Sequence, residues 1–189
     1  MTALEKPDFI SIAEYLAGEE LAEVKHEYVG RTVNARAGGT NRHNAIAVNA
    51  IGSLFAQLRG KPCRPFNSDT KVRIDFPDHT RFYYPDAMVV CRSNPAGDHF
   101  QESPVVIIEV LSDSTRRTDL EEKREAYLAL PSLKVLLFVE PETPRVTLHR
   151  RRDEGGFAPA IPSGLDAVIP LAEIEAELPL AELYESVEG

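Results

Sequence analysis

The sequence lacks the features of membrane-spanning and exported proteins. It has no apolar run close to the roughly 20 residues that are needed to cross a bilayer. The N-terminal stretch MTALEKPDFISIAEYL has neither the basic start nor the apolar segment of a signal peptide. We therefore expect a protein that makes no membrane contact and is located in the cytoplasm.

Cysteine is also scarce. The two cysteines, Cys63 and Cys91, do not have the spacing of metal ligands. Because disulfides are rare in the cytosol, we interpret both as small core residues and expect no bond between them.

Basic charge is in deficit, with 21 Lys and Arg against 30 Asp and Glu and a net charge of −9. Proteins that coat nucleic acid without specificity usually show a basic footprint, so the charge argues against that class. It does not exclude a nucleic-acid enzyme, whose site can be acidic in order to hold a metal ion while local arginines contact phosphates. The local basic clusters, Arg116–Arg117 and Arg150–Arg152, are interpreted first as solvated surface.

The helix signals are clear. Ser11 and Glu14 form a predicted capping box, followed by a short helix to about Ala17. Thr40 is a predicted N-cap for a longer helix through Arg59, which Gly60 ends. Its apolar stripe is Ile46, Ala50, Leu54 and Leu58. A third helix, TDLEEKREAYLAL, opens with a second predicted capping box, Thr118 with Glu121.

Strand signals lie between these helices. HEYVGRTVNARAGG alternates around a Val-Gly turn, which is typical of a β-hairpin. Strand candidates follow at about 63–75, 82–91 and 104–111, and LKVLLFVEP is a further apolar strand of the kind that is covered on both faces. The 189 residues fit one domain, 1–189, of α+β (mixed α/β) class on one central sheet.

Glu109 is the feature that calls for an explanation, because it interrupts the apolar strand VVIIEVL. Burying an unpaired carboxylate is costly. Asp86 has a similar setting, directly after Pro85 at the head of the strand AMVV. If the two strands pair, the two carboxylates can converge on one Mg²⁺, which takes oxygen ligands and commonly only one or two protein carboxylates.

Simpler interpretations of these acids remain open. Asp86 alone fits a turn residue, and Glu109 alone fits the buried partner of an arginine. The helix after Glu109 places a basic side chain on its buried face, but periodicity does not choose between Lys123 and Arg124.

These motifs resemble the PD-(D/E)XK nuclease superfamily. YPDAMVV, VIIEVLS and TDLEEKREAY are more closely similar to the Uma-type family of restriction endonuclease-like proteins, a domain of unknown function. KHEYVGRTV, AGGTNRHNAIAVNAI, SDTKVRI and PSLKVLLFVEPETPRVTLHRR extend the resemblance over most of the chain. Each motif is short, and their order makes the match specific.

The resemblance implies a restriction-endonuclease-like αβββαβ core with a central mixed, bent sheet flanked by helices. It also implies hydrolysis of a DNA phosphodiester that depends on Mg²⁺, with Mn²⁺ as a substitute. Asp86 and Glu109 match the two acids of the motif, and the backbone carbonyl of Val110 is a further expected metal ligand. The superfamily places its lysine two residues after the second acid, where this chain has Leu111. The family pattern places it on the next helix, which favours Lys123.

The resemblance extends to residues around this centre. Glu27 and Asp69 are candidates for a supporting or second-metal role, although Asp69 fits a turn equally well and is expected to pair with Lys71. Possible DNA contacts are His43, Ser112, Ser114 and Arg116, with Thr115 in the same polar turn; for His43 a structural role is an alternative.

Two other function classes remain. The first is a DNA- or partner-binding module that keeps the nuclease fold with little or no cleavage, which Leu111 and the acidic charge favour. The second is a purely structural domain. Restriction-type nucleases often cut as dimers, so the analogy also implies a homo-oligomer, although the sequence shows no dimer seam and no DNA-reading motif.

Overall fold

The computed structural model describes residues 9–36 and 38–187. No helix in these ranges is both long and apolar enough to cross a membrane. The α-helices are α1 (Ile12–Leu21), α2 (Asn41–Leu58), α3 (Arg116–Thr118), α4 (Arg124–Leu128) and α5 (Leu180–Leu183). A π-helix, Asp119–Lys123, joins α3 to α4, and a 3₁₀ turn covers Ala172–Ile174.

The strands of the first half of the chain are β1 (His26–Val29), β2 (Thr32–Ala35), β3 (Arg64–Asn67), β4 (Lys71–Asp75), β5 (Thr80–Tyr83), β6 (Ala87–Val90) and β7 (Phe100–Gln101). Those of the second half are β8 (Pro104–Val110), β9 (Val135–Val139), β10 (Val146–Arg151), β11 (Phe157–Ala160), β12 (Val168–Leu171) and β13 (Ala176–Pro179). β12 and β13 form a small hairpin sheet of their own.

A six-stranded mixed sheet, in the order β11-β10-β9-β8-β6-β3, carries the predicted core. Along the chain, α2 is followed by β3, β6 and β8, then by the α3–α4 helical segment and β9. The β8–β9 pair is parallel and the other pairs are antiparallel. A parallel pair needs a crossover connection, and α3–α4 provides it. The predicted αβββαβ order and the α+β class are confirmed.

The structure has two large sheets, so the prediction of one central sheet was wrong. The candidates at 63–75 and 82–91 each break into two strands, and β4 and β5 leave for a second, five-stranded sheet, in the order β2-β1-β5-β4-β7. One break is the turn in which Thr70 N–H donates to the Asn67 carbonyl. The other follows Tyr84 at Pro85, which has no N–H to give to a ladder.

The two helix caps and the hairpin that were predicted near the start of the chain are present. The Ser11–Glu14 capping box forms, although α1 continues to Leu21, beyond the predicted end. Thr40 caps α2, whose buried stripe is the predicted one. The β1–β2 hairpin turns at Gly30 and Arg31, which have φ of 53° and 79°.

The second capping box was a wrong prediction. Thr118 already has helical backbone angles and its side chain caps nothing. The turn begins earlier, where Ser112 Oγ accepts a hydrogen bond from the Thr115 N–H and lies 2.8 Å from the Thr115 hydroxyl oxygen. Because Ser112 starts the turn, Thr118 lies inside the helical segment, not in front of it.

The core lies on both faces of the six-stranded sheet. Alternate residues of β8 point to opposite faces. Val106, Ile108 and Val110 face α2, whereas Ile107 and Leu111 face α4. Glu109 shares the α4 face by the same alternation, which explains why an acid in this strand meets the helix that follows it.

A disulfide joins Cys63 to Cys91, so the prediction of two unbonded core cysteines was wrong. Cys63 directly precedes β3 and Cys91 directly follows β6. The antiparallel register pairs Arg64 with Val90, which puts the two cysteines opposite each other. The sequence interpretation considered metal spacing and location but not this register.

Candidate active site

Asp86 and Glu109 meet where β6 and β8 run side by side. Ala87 pairs with Ile108, so the residue before β6 comes level with Glu109. Asp86 is 4% exposed and Glu109 is 2% exposed. Both line a cleft of about 790 Å³ between the two sheets and the first turn of α2. The predicted convergence of the two acids is present in the structure.

Asp86 has three hydrogen-bonding or ionic partners. Arg36 Nη2 lies 2.6 Å from Oδ1, and His43 Nε2 lies 3.1 Å from Oδ2. The Val110 N–H donates to Oδ2 over 2.8 Å. Burial alone would raise the pKa of Asp86, but the bond from His43, the two positive charges and the Val110 amide hold that pKa below its usual range.

Glu109 is held differently. Its Oε1 accepts a 2.5 Å hydrogen bond from the Tyr127 hydroxyl and lies 3.6 Å from Lys123 Nζ. Burial raises the pKa of Glu109 to about 8, aided by the negative charges of Asp86 and Asp119, although Lys123 and Tyr127 lower it. The two carboxyl groups therefore differ: their surroundings lower the pKa of Asp86 and raise that of Glu109.

Lys123 is enclosed by carboxylates. Its Nζ lies 2.9 Å from Glu27 and 3.3 Å from Asp119, in addition to Glu109. Burial would lower the pKa of Lys123, but the three carboxylates raise it above the ordinary value. Lys123 is therefore a fixed positive charge, and it cannot serve as a proton acceptor at neutral pH.

Lys123 is the last residue of the π-helix that joins α3 to α4. Asp119 and Lys123 stand at its two ends and are its two buried residues. Asp119 Oδ1 is buried and receives no well-directed hydrogen bond within residues 9–36 and 38–187. Single-turn π segments are frequent at functional sites. Arg124 is exposed and donates to the Leu120 carbonyl, so it does not face the acids.

The outer candidate residues separate into two groups. Glu27 lines the cleft and pairs with Lys123, whereas Asp69 lies outside it with a side chain that is 68% exposed. Asp69 pairs with Lys25, so the predicted pairing with Lys71 was wrong. Lys71 is buried, and it donates to the Tyr84 hydroxyl instead. The turn at Asn67 brings Asp69 to Lys25, whereas the buried Lys71 contacts Tyr84.

The candidate DNA contacts also separate. Ser112, Ser114 and His43 line the cleft, and so does Thr115. Arg116 is not among the lining residues, because its guanidinium makes two hydrogen bonds with the Glu140 carboxylate. His43 faces Asp86 in the structure, where a phosphate contact had been one of its predicted roles.

Three further residues belong to the cluster, and the sequence interpretation missed their part in it. Arg36 holds Asp86, Tyr127 holds Glu109, and Asp119 flanks Lys123. The spacing of Asp119 and Lys123, four residues apart in one helical segment, is a signal that could have been used. Arg36 gives no such signal, because it reaches Asp86 from another sheet.

The donor atoms fit a hard cation such as Mg²⁺. No set of three or more His, Cys, Asp or Glu side chains within the described ranges is arranged to hold a metal by itself. Mg²⁺ commonly takes only one or two carboxylates with other oxygen ligands. Asp86 and Glu109 supply these, and the C=O of Val110 points to the same side of β8 as its N–H, toward Asp86.

The charge of the cluster also fits a cation. Four carboxyl groups, Glu27, Asp86, Glu109 and Asp119, lie around two strong cations, Arg36 and Lys123. Burial raises the pKa of Glu109, and the negative charges of Asp86 and Asp119 add to that effect. A bound cation would favour the ionised form of Glu109.

Comparisons with known proteins agree with this architecture. The chain is 32% identical over 150 residues to Uncharacterized protein slr1290 of Synechocystis sp., covering 78% of this chain and 77% of that one. It is 28% identical over 145 residues to Uncharacterized protein sll1609 of the same organism, covering 75% and 81%. A crystal structure described as "a putative nuclease belonging to DUF820" from Anabaena variabilis superposes with a TM-score of 0.71. That match covers 88% of this chain and 93% of the other at 16% identity, which shows a shared fold. The Uma2 family, described as "Putative restriction endonuclease", matches residues 12–181, and the chain belongs to this family.

Proposed function

We propose that the protein is a Mg²⁺-dependent endonuclease that hydrolyses phosphodiester bonds of DNA. The observation that carries the proposal is the convergence of Asp86 and Glu109 in one cleft with a buried, charged Lys123 beside them. The family and its fold favour a nuclease, and the oxygen donors favour Mg²⁺, with Mn²⁺ as a substitute.

In this proposal, Asp86, Glu109 and the Val110 carbonyl hold the metal ion. When bound, Mg²⁺ would act as a Lewis acid on the phosphate and lower the pKa of a water molecule. The reaction adds a water oxygen to phosphorus and breaks one P–O ester bond, and the leaving oxygen takes up a proton. Ser112, Ser114 and Thr115 present hydroxyl groups at the cleft wall that can bind phosphate oxygens.

Lys123 acts as a fixed charge in this scheme. Its ammonium group stays protonated, so it orients the water and opposes the negative charge that grows on the phosphoryl oxygens. Glu27 and Asp119 keep it pointed at Glu109. The proton that the water releases must go to another acceptor.

A plasmid-nicking assay tests the proposal. Wild-type protein with Mg²⁺ or Mn²⁺ is expected to nick supercoiled DNA, and Asp86→Ala, Glu109→Ala and Lys123→Ala are expected to lose at least about 100-fold in rate. Equal nicking by the wild type and both acid variants would sink the assignment, because the activity would then come from elsewhere.

The second candidate function is a DNA- or partner-binding module with little or no cleavage. Leu111 favours it, since it lies 1% exposed in the core where the wider superfamily has its lysine. Calorimetric titration with Mg²⁺ separates the two functions. Heat that is lost in Asp86→Ala and Glu109→Ala supports a metal-dependent site, and its absence in the wild type supports the binding module.

Dimer formation and the cytoplasmic location remain predictions from the sequence. Sedimentation velocity over a range of protein concentrations tests the first, and a single species with the 21.0 kDa mass of one chain would contradict it. Whether Cys63 and Cys91 are reduced or bonded in protein isolated from cells tests the cytoplasmic location, because disulfides are rare in the cytosol.

A further inference from the structure

Protein groups occupy three of the roughly four acceptor positions of the Asp86 carboxylate. Arg36 takes Oδ1, and His43 and the Val110 N–H share Oδ2. A carboxylate has about four acceptor positions, so little capacity remains for a cation. The residue that the proposed function needs most as a metal ligand is thus held by protein groups of positive charge.

His43 is fixed in its position. It lies in the first turn of α2, where its N–H donates to the Thr40 side chain. Its ring packs against Gly39 so closely that a Cβ at Gly39 would lie 2.5 Å from Nδ1. The histidine therefore has little room to leave Asp86.

Arg36 is held in a different way. It follows β2, and its N–H donates to the Lys25 carbonyl over 2.8 Å. Within residues 9–36 and 38–187, its guanidinium bonds to Asp86 and forms no other hydrogen bond. A guanidinium has five N–H donors, and Arg36 lines the open cleft. Unlike the imidazole of His43, this long side chain can turn without a change in a helix.

A divalent cation that binds Asp86 is repelled by the guanidinium 2.6 Å from Oδ1, because both charges then lie in a buried, weakly screened site. The guanidinium would leave and would face the cleft. A phosphodiester oxygen is the anion that the proposed function places there, and arginine binds phosphate well.

We propose that Arg36 neutralises Asp86 when no metal ion is bound and moves to a DNA backbone phosphate when a divalent cation binds Asp86. The proposal rests on the proposed function. It makes metal binding and DNA binding cooperative, and such coupling is reciprocal, so each ligand tightens the other by the same factor.

Calorimetry with Ca²⁺ measures the affinity of the protein for a divalent cation, and it does not depend on DNA cleavage. In the absence of DNA, Arg36→Met is expected to bind Ca²⁺ about 5-fold or more tightly than the wild type, because the competing cation is gone. Arg36→Gln keeps a neutral donor for Asp86 and is also expected to bind Ca²⁺ more tightly than the wild type. This variant provides the test if Arg36→Met does not fold. Arg42→Met is the matched control, since Arg42 lies near His43 and pairs with the exposed Glu142.

Fluorescence anisotropy with a short labelled DNA duplex measures how Ca²⁺ changes the affinity for DNA. In the wild type, saturating Ca²⁺ should tighten DNA binding, and in Arg36→Met this gain should shrink by at least about 5-fold. Arg42→Met should lower DNA affinity a little, with or without Ca²⁺, and leave the gain intact. Melting curves confirm that each variant is folded.

The possible failures are distinguishable. If wild-type protein shows no Ca²⁺ heat that Asp86→Ala removes, the proposed function and this inference both fall. If that heat is present but Arg36→Met and Arg36→Gln bind Ca²⁺ no more tightly than the wild type, the metal site stands and the role of Arg36 is overturned.

Discussion

Lys123 Nζ lies 2.9 Å from Glu27 Oε1, and this ion pair joins the two large sheets. Glu27 belongs to β1 of the five-stranded sheet, whereas Lys123 belongs to the helical segment that covers the six-stranded sheet. Both side chains are largely buried, so solvent screens the pair only weakly. A charged contact therefore links the two sheets at the cleft, which both residues line.

Removing the lysine should cost stability as well as activity. Lys123→Met leaves Glu27, Glu109 and Asp119 without their shared cation, and breaking a buried pair from one side costs about 3–5 kcal/mol. Urea denaturation measures this loss. Arg124→Met is the matched control, because Arg124 is exposed and should change the free energy of unfolding by no more than about 0.5 kcal/mol. Similar losses in both variants would mean that the carboxylates do not depend on Lys123.

The raised pKa of Glu109 predicts a pH dependence of stability in the metal-free protein. Its pKa is about 8 in the folded protein, against an ordinary value of 4.5. Between these values the folded state holds a proton that the unfolded state has lost. The stabilisation is complete below the ordinary pKa and is lost as the pH rises through about 8. The slope for one proton is at most about 1.4 kcal/mol per pH unit.

Urea denaturation in EDTA at several pH values checks this slope, and Glu109→Gln removes the titrating group. The variant should be less sensitive to alkaline pH than the wild type. Added Mg²⁺ should reverse the trend for the wild type, because the metal needs the ionised carboxylate and so binds better as the pH rises. A wild type whose stability is as insensitive to pH as that of the variant would contradict the raised pKa.

The acid pair and the order of the core were predictable because they depend on local patterns. An acid inside an apolar strand, a proline before a second strand and the N-caps of α1 and α2 are visible in short stretches of sequence. The strand alternation that puts Glu109 on the α4 face with Leu111 follows from β geometry alone. The resemblance then added the choice of Lys123, and the structure places Lys123, not Arg124, beside the acids.

The remaining partners could not be predicted because they depend on how two sheets approach each other. Arg36 directly follows β2 of the five-stranded sheet, and Asp86 directly precedes β6 of the six-stranded sheet. No sequence periodicity links the two residues, although they form an ion pair. The disulfide depends on the pairing of β3 with β6, and local patterns do not reveal this pairing because β4 and β5 lie between the two strands in the chain. The break of two candidate strands into four also depends on tertiary pairing, since each half found a different sheet.

Gly39 offers a way to disturb His43 without replacing it. A Cβ at Gly39 would lie 2.5 Å from His43 Nδ1 and 2.8 Å from its Cγ, so Gly39→Ala must push the ring away. The displaced ring weakens the contact with Asp86, and we expect a lower melting temperature and altered Ca²⁺ affinity. Gly38→Ala is the matched control, because its Cβ would meet nothing within 4 Å. NMR of the histidine ring reports the displacement, and an unmoved His43 signal in Gly39→Ala would contradict the close packing.

The disulfide between Cys63 and Cys91 should stabilise the fold by tying the edge strand β3 to β6. The bond closes a loop with a sequence separation of 28, for which the chain-entropy estimate is roughly 3–4 kcal/mol. The double variant Cys63→Ala/Cys91→Ala should therefore unfold at lower urea concentration than the oxidised wild type, and reduced wild type should resemble the variant. A thiol titration in denaturant, without reductant, should find no free thiol in the oxidised protein. Two free thiols in protein taken directly from the cytosol would fit a cytoplasmic location, where disulfides are rare, and would mean that the bond forms only under oxidising conditions.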